Sequence, residues 1–219
     1  MFDSIPILLL LSVLTGYTWR KLYDTVDTRI QNYHVSQNVI NCLHAISLAT
    51  LTFYPSLENL MIVNSTGFFV HDIFILSKIR NFDRWHKWLD PLVLHHFIAM
   101  HALWNIYFGI YREVTLLLCC ILELSNIPMY MSTFCLRIFP QYQLVNHVLL
   151  YNQFIVFTGI RIIYTPYRFL TDYRDLLLEM VPLYHLELGL VFLAGMVWSY
   201  KLGRKAVQYQ ADVPHQHKV

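Results

Sequence analysis

Seven stretches of this chain are apolar over lengths that cross a bilayer as helix, and that feature limits the fold more than any other. They cover residues 4–19, 35–54, 60–77, 91–108, 114–136, 146–164 and 181–201. A spanning helix takes roughly 17–25 mostly apolar residues, so the first run is short and the others suffice. Backbone groups in lipid have to be bonded within the protein, which leaves helices or closed barrels. The runs are too long, and alternate too little, for barrel strands. The expected fold class is therefore all-α, a polytopic membrane protein of about seven transmembrane helices. Charge agrees: 14% of the residues are charged, against about 25% in a soluble domain, too few to clothe a water-soluble fold. The start of the chain, residues 1–19, lacks a basic leader, carries Asp3 and has no A-x-A cleavage site, so the first run is expected to stay as a span.

The loops orient the spans. With seven crossings, one side collects Arg20, Lys21, Arg29, Lys78, Arg80, Arg84, Lys87, Arg137, Lys201, Arg204, Lys205 and Lys218, and the other only Arg112, Arg168 and Arg174. Basic loops stay in the cytosol. The N-terminus is then lumenal or outside and the C-terminus cytosolic, with Trp85 and Trp88 at the cytosolic interface. The net charge of +2 gives no reason to expect nucleic acid. Cys42, Cys119, Cys120 and Cys135 sit in apolar runs without metal-ligand spacing and read as small buried apolar residues.

Ionisable residues inside spans cost about 2.5–3.5 kcal/mol each on insertion scales and tend to mark function. The third run places Asn64, Gly67, His71 and Lys78 near one helical face, with Asp72 beside His71. The fourth carries adjacent His95 and His96, then His101 and Asn105. The fifth holds Glu123, Ser125 and Asn126, the sixth Asn152, Gln153 and Arg161, the second His44 and the seventh His185. At about 1.5 Å per residue, His95, His96 and Asp72 lie at similar depth below the cytosolic face. Two imidazoles and carboxylates in one cavity have the composition of an acid–base site. A lone His, Asn or Gln in a span is more often a bond between helices, which is the plain reading of His44, His101, His147, His185, Asn105, Asn152 and Gln153. Arg161 either snorkels to the interface or neutralises a buried carboxylate. The sequon at Asn64-Ser65-Thr66 falls in a span and is not expected to carry a glycan.

Five landmarks then occur in order: Cys42-Leu43-His44-Ala45, Thr66-Gly67-Phe68-Phe69-Val70-His71-Asp72, Val93-Leu94-His95-His96-Phe97, Glu123-Leu124-Ser125-Asn126-Ile127-Pro128, and the Phe-rich stretch 154–161 ending in Arg161. Over residues 38–201 the chain resembles the TLC (TRAM/LAG1/CLN8) domain family, most of all its small TLC domain-containing proteins. The resemblance implies a six-helix domain around a lipid-accepting cavity, at 35–203. Residues 1–34 would add an N-terminal transmembrane helix and connecting loop, and 204–219 a loose cytosolic tail. The ceramide-synthase branch joins an acyl chain from acyl-CoA to a sphingoid amine, using a His pair and a downstream His-Asp motif. This chain has Glu123-Leu124-Ser125-Asn126 at the downstream place, which argues against ceramide synthesis.

Three functions follow as expectations. In the first, an acyltransferase, His95 or His96 is the general base, Glu123 or Asp72 orients it, and Lys78, Arg80, Arg84 and Lys87 meet the phosphates of acyl-CoA as co-substrate. His44, His71, Ser125, Asn126 and Arg161 line the substrate cavity, with no tightly bound cofactor. In the second, a non-catalytic protein binds membrane lipids and regulates membrane composition. In the third, His95, His96 and Asp72 ligate zinc in a seven-helix lipid amidase. The family alone implies the endoplasmic reticulum, with the plasma membrane as the alternative.

Overall fold

A computed structural model describes residues 4–79 and 91–216, and all regular structure among them is helical. Arg80, Arg84, Lys87, Trp85, Trp88 and Lys218 lie outside the described residues. The chain divides into two compact units, residues 1–123 and 124–219.

In the first unit, α1 (Ile5–Ile30), α2 (Tyr33–Thr52) and α4 (Pro91–Tyr107) all pack against α3 (Glu58–Ile79), and α5 (Arg112–Leu124) closes the segment. α3 is the central element, and its sequence is apolar nearly all round, as a helix surrounded by others has to be. Trp19, Tyr23, Ile40, Leu48, Met61, Phe68, Phe69, Leu103 and Ile106 form the core around it.

The seam between α1 and α3 is backbone on backbone. A Cβ built on Gly67 would collide with Thr15 Oγ1 and lie 2.6 Å from the Gly16 amide nitrogen, so only glycine fits. Close approach lets polar groups bond across the seam: Thr15 Oγ1 donates to the Val63 carbonyl at 3.0 Å and Trp19 Nε1 to Asn64 Oδ1 at 3.2 Å. Small residues at a crossing serve helix association in membranes, where apolar burial gives no net drive. Asn64 also donates to Ser47 on α2, so the sequon asparagine is a packing residue. At the far end of α3, Glu58 accepts from Arg112 Nε at 3.1 Å and from Nη2 as well, tying the starts of α3 and α5.

α1 runs to Ile30, where a connecting loop was expected to follow residue 19. Its last three turns carry an Arg20–Asp24 pair at 2.8 Å, one turn apart, and end on Gln31 in the left-handed conformation at φ 52°. Asn32 caps α2 by accepting from the Val35 amide at 3.3 Å.

In the second unit, α6 (Ile127–Ile138) and α10 (Pro182–Gln216) pack on α7 (Gln143–Thr158). The fifth apolar run is not one continuous helix: a turn at Ser125 and Asn126 separates α5 from α6. Pro128 explains it, since it has no N–H for the Leu124 carbonyl. α7 passes into a π-helical turn, Gly159–Tyr164, and then α8 (Thr165–Thr171). Pro166 again lacks a donor, here for the Ile162 carbonyl, and the Thr165 amide and hydroxyl both reach the Ile160 carbonyl. α9 (Arg174–Glu179) precedes α10.

The loose tail expected after Gly203 is instead a continuation of α10 to Gln216. Gly203 does not end the helix. It makes room for Phe154, whose ring a Cβ there would meet at 2.9 Å.

Among the described residues, four helical segments are long and apolar enough to cross a membrane, Pro55–Lys78, Arg112–Ile138, Gln143–Thr171 and Pro182–Tyr209. The more polar α1 and α2 and the 17-residue α4 account for the other three apolar runs. Exposed Leu9, Leu10, Val13, Leu14, Leu144, Val148, Ile155, Leu186 and Val197 give these helices an apolar outer surface.

Candidate functional site

The polar residues of the first unit meet where α2, α3 and α4 face one another. Asp72 on α3 is buried, and its Oδ2 lies 2.5 Å from His96 Nε2 on α4. Its Oδ1 accepts from Gln37 Nε2 on α2. An ionised carboxylate only accepts, so a neutral His96 facing it carries its proton on Nε2 and its lone pair on Nδ1. His96 Nδ1 is buried and without a hydrogen-bond partner. Asp72 is seven residues from the end of α3 and His96 five from the start of α4, about 10 and 8 Å by helical rise.

Aromatic rings wall this pair. Phe69 lies 5.0 Å from the His96 ring and 5.2 Å from the His44 ring, which stacks on Phe68 at 3.7 Å with 6° between planes. His44 Nε2 is buried without a partner. His95 is half-buried, its ring 5.7 Å from that of His96. Glu123 is buried on α5, one turn after Cys119.

Asn64, Gly67 and His71 share a face as expected, and that face packs on α1. His71 lies 5.9 Å from the Tyr23 ring, and both its nitrogens are buried without partners. Its side chain therefore sits in the α1–α3 seam, while Asp72, the next residue, turns to α2 and α4. Lys78 is exposed, with its ammonium 4.4 Å from the centre of the Phe74 ring.

The second unit holds its own polar centre. Arg161, buried at 3% exposure, donates from Nε to Ser125 Oγ and from Nη2 to Asn126 Oδ1, each at 2.9 Å. Its guanidinium lies 4.5 Å over the Phe157 ring. Arg161 does not snorkel. Two helix interruptions meet here, the π turn that carries Arg161 and the Ser125–Asn126 turn that receives it. Non-helical backbone at membrane depth survives where protein surrounds it or where it lines a cavity, and π turns recur at functional sites. Beside it, Ser132 donates to Gln153 Oε1, which ties α6 to α7.

Other polar residues bond within a helix or across to a neighbouring one. Asn105 bonds the His101 ring at 3.2 Å one turn away, and His185 Nε2 lies 2.8 Å from the Leu177 carbonyl. His147 sits between Tyr151 and Tyr209. No group of three or more His, Cys, Asp or Glu side chains is arranged to hold a metal among the described residues.

Gln37 was missed in the sequence. The signal is there: Gln37, Asn41 and His44 lie three and four apart on α2, a polar stripe pointing the same way as the two residues it serves.

An all-helical chain with apolar outer faces, and with carboxylate, imidazole and guanidinium groups buried between helices, is an integral membrane protein of the multi-pass class. Residues 9–202 match the TLC domain (TRAM/LAG1/CLN8), and the chain belongs to that family. The matched region begins inside α1 and ends in α10. No curated protein and no solved structure is detectably similar to the chain. The family is linked to lipid metabolism and lipid sensing.

Proposed function

We propose that this protein modifies a membrane lipid by acyl transfer, with His96 as general base and Asp72 as the residue that orients it. The observation that carries this reading is the buried Asp72–His96 bond, with His96 Nδ1 buried and bonded to no other group. Asp72 fixes the tautomer and stabilises the imidazolium that forms, so Nδ1 is the atom that would take a proton from a lipid amine or hydroxyl. The nucleophile freed this way attacks the acyl carbonyl of a thioester such as acyl-CoA. The new C–N or C–O bond forms, the C–S bond breaks, and the proton held on Nδ1 leaves with the thiolate. Phe69 packs against the rings of both His96 and His44. Lys78, and the basic residues Arg80 and Arg84, would meet the phosphates of acyl-CoA.

The orientation that this requires has the N-terminus lumenal or outside, the C-terminus cytosolic and all seven apolar runs spanning, in the endoplasmic reticulum. The Glu58–Arg112 pair supports it by holding the starts of α3 and α5 together, as an up-and-down path requires. Protease protection of a tag at each end of the chain, in sealed microsomes, tests it. Protection of the C-terminal tag, or cleavage of the N-terminal one, overturns it.

The second reading, a non-catalytic lipid-binding protein that regulates membrane composition, rests on the absent downstream His-Asp motif. Lipid analysis of cells carrying the wild type or His95→Ala/His96→Ala, at matched folded levels, separates the two. A lipid class or acyl profile that changes with the wild type and not with the double variant supports chemistry and identifies the substrate class. Equal shifts with both leave the binding reading.

A further inference from the structure

We infer that Gln37 is a positioning residue of this site, locking Asp72 in the orientation that keeps the proton on His96 Nε2. The inference rests on the reading of His96 as a base. Gln37 Nε2 has two hydrogens, and both are used: one goes to Asp72 Oδ1 and the other to Asn41 Oδ1 at 2.9 Å, one turn further along α2. That leaves Gln37 Oε1 buried and without a partner. A flipped amide would set its oxygen against two acceptors, so the two bonds fix which way the side chain points. The carboxylate is therefore held at both oxygens, by Gln37 from α2 and by His96 from α4. The donor is also neutral. A lysine or arginine at this place would pair with Asp72 and weaken its hold on an imidazolium, whereas an amide orients the carboxylate and leaves its charge for His96. Asn41, Gln37, Asp72 and His96 thus form one hydrogen-bonded line across three helices. Buried polar networks of this kind act as units.

The test uses the full chain with nitrogen-labelled histidine in lipid nanodiscs, and lipid analysis of cells expressing the same variants. The His96 resonances are assigned from the His96→Ala spectrum. The wild type is expected to show His96 with its proton on Nε2. Gln37→Leu is expected to show mixed tautomers at His96 and a loss of lipid product of about ten- to a hundredfold, the scale of a small misplacement in a site, with its melting temperature little changed. Asn41→Ala, which removes one of the two bonds that hold the Gln37 amide, is expected to do the same more weakly, and it stands in should Gln37→Leu not fold. Folded variants with the wild-type tautomer and wild-type product overturn the inference. If His96→Ala leaves the lipid profile as in wild type, the acyl-transfer reading falls, and the tautomer alone decides whether Gln37 positions Asp72.

Discussion

Asp72→Asn is expected to remove the lipid product almost entirely while the protein stays folded. The replacement keeps the shape of the side chain, and an amide can still bond Gln37 and His96. What changes is the sense of the bond to the imidazole. With Gln37 donating to the oxygen of the new amide, the NH2 group of that amide faces His96 Nε2, which then becomes the acceptor and moves the ring proton to Nδ1. The atom meant to take a proton already carries one. General-base catalysis contributes about a hundred- to ten-thousandfold, and the loss should fall in that range, close to that of His96→Ala. Product formation by cells with matched levels of folded protein is the measurement. A folded Asp72→Asn variant with wild-type product would show that the carboxylate does not orient the base.

The largest effect on folding is expected from Gly67→Ala. The added methyl would collide with the Thr15 hydroxyl and sit 2.6 Å from the Gly16 amide and the Ser12 carbonyl, and two of those three are backbone. A side chain can rotate away, but a helix backbone cannot, so α1 has to move off α3. Overpacking typically costs about 1–3 kcal/mol. The expected loss is at or above the top of that range, because the Thr15 and Trp19 bonds across the seam go with it. Gly189→Ala is the control: nothing lies within 4 Å of its Cβ, and alanine in a helix interior is favoured by about 0.5–1 kcal/mol. Thermal unfolding in detergent compares the two. A Gly67→Ala melting temperature equal to that of the wild type would mean that α1 is not held by this crossing.

The helices, and the similar depth of Asp72 and the His95–His96 pair, were legible in the sequence for the same reason: apolar runs fix where helices lie and how deep each polar residue sits. Depth does not say which way a side chain turns. Residues 71 and 72 are adjacent, yet one faces α1 and the other α4, and only the packing of α3 on three neighbours decides this. His95 and His96 posed the same problem, and the structure gives the Asp72 bond to His96. The two glycines misled in opposite ways. Gly203 reads as the end of a helix and is a slot for Phe154. Gly67 reads as one letter of a motif, and its cause lies on another helix, at Gly16. The helix interruptions at Ser125–Asn126 and Gly159–Tyr164 do follow from prolines in plain view, Pro128 and Pro166. What no local pattern carries is that both interruptions meet at one arginine.

The α1–α3 crossing also bears on how the chain is made. α1 is synthesised before its partner segment, which follows tens of residues later, since Thr15 and Val63 are 48 positions apart. Until then the face of α1 that will meet α3 is uncovered. The Thr15 hydroxyl is provided for, because it also reaches the Ser12 carbonyl of its own helix at 3.0 Å. Trp19 has no such internal partner for its indole N–H, which finds Asn64 only once α3 has arrived. A nascent chain stalled before residue 60 should therefore present a tryptophan whose polar edge seeks water or a chaperone, and the completed chain should hide it.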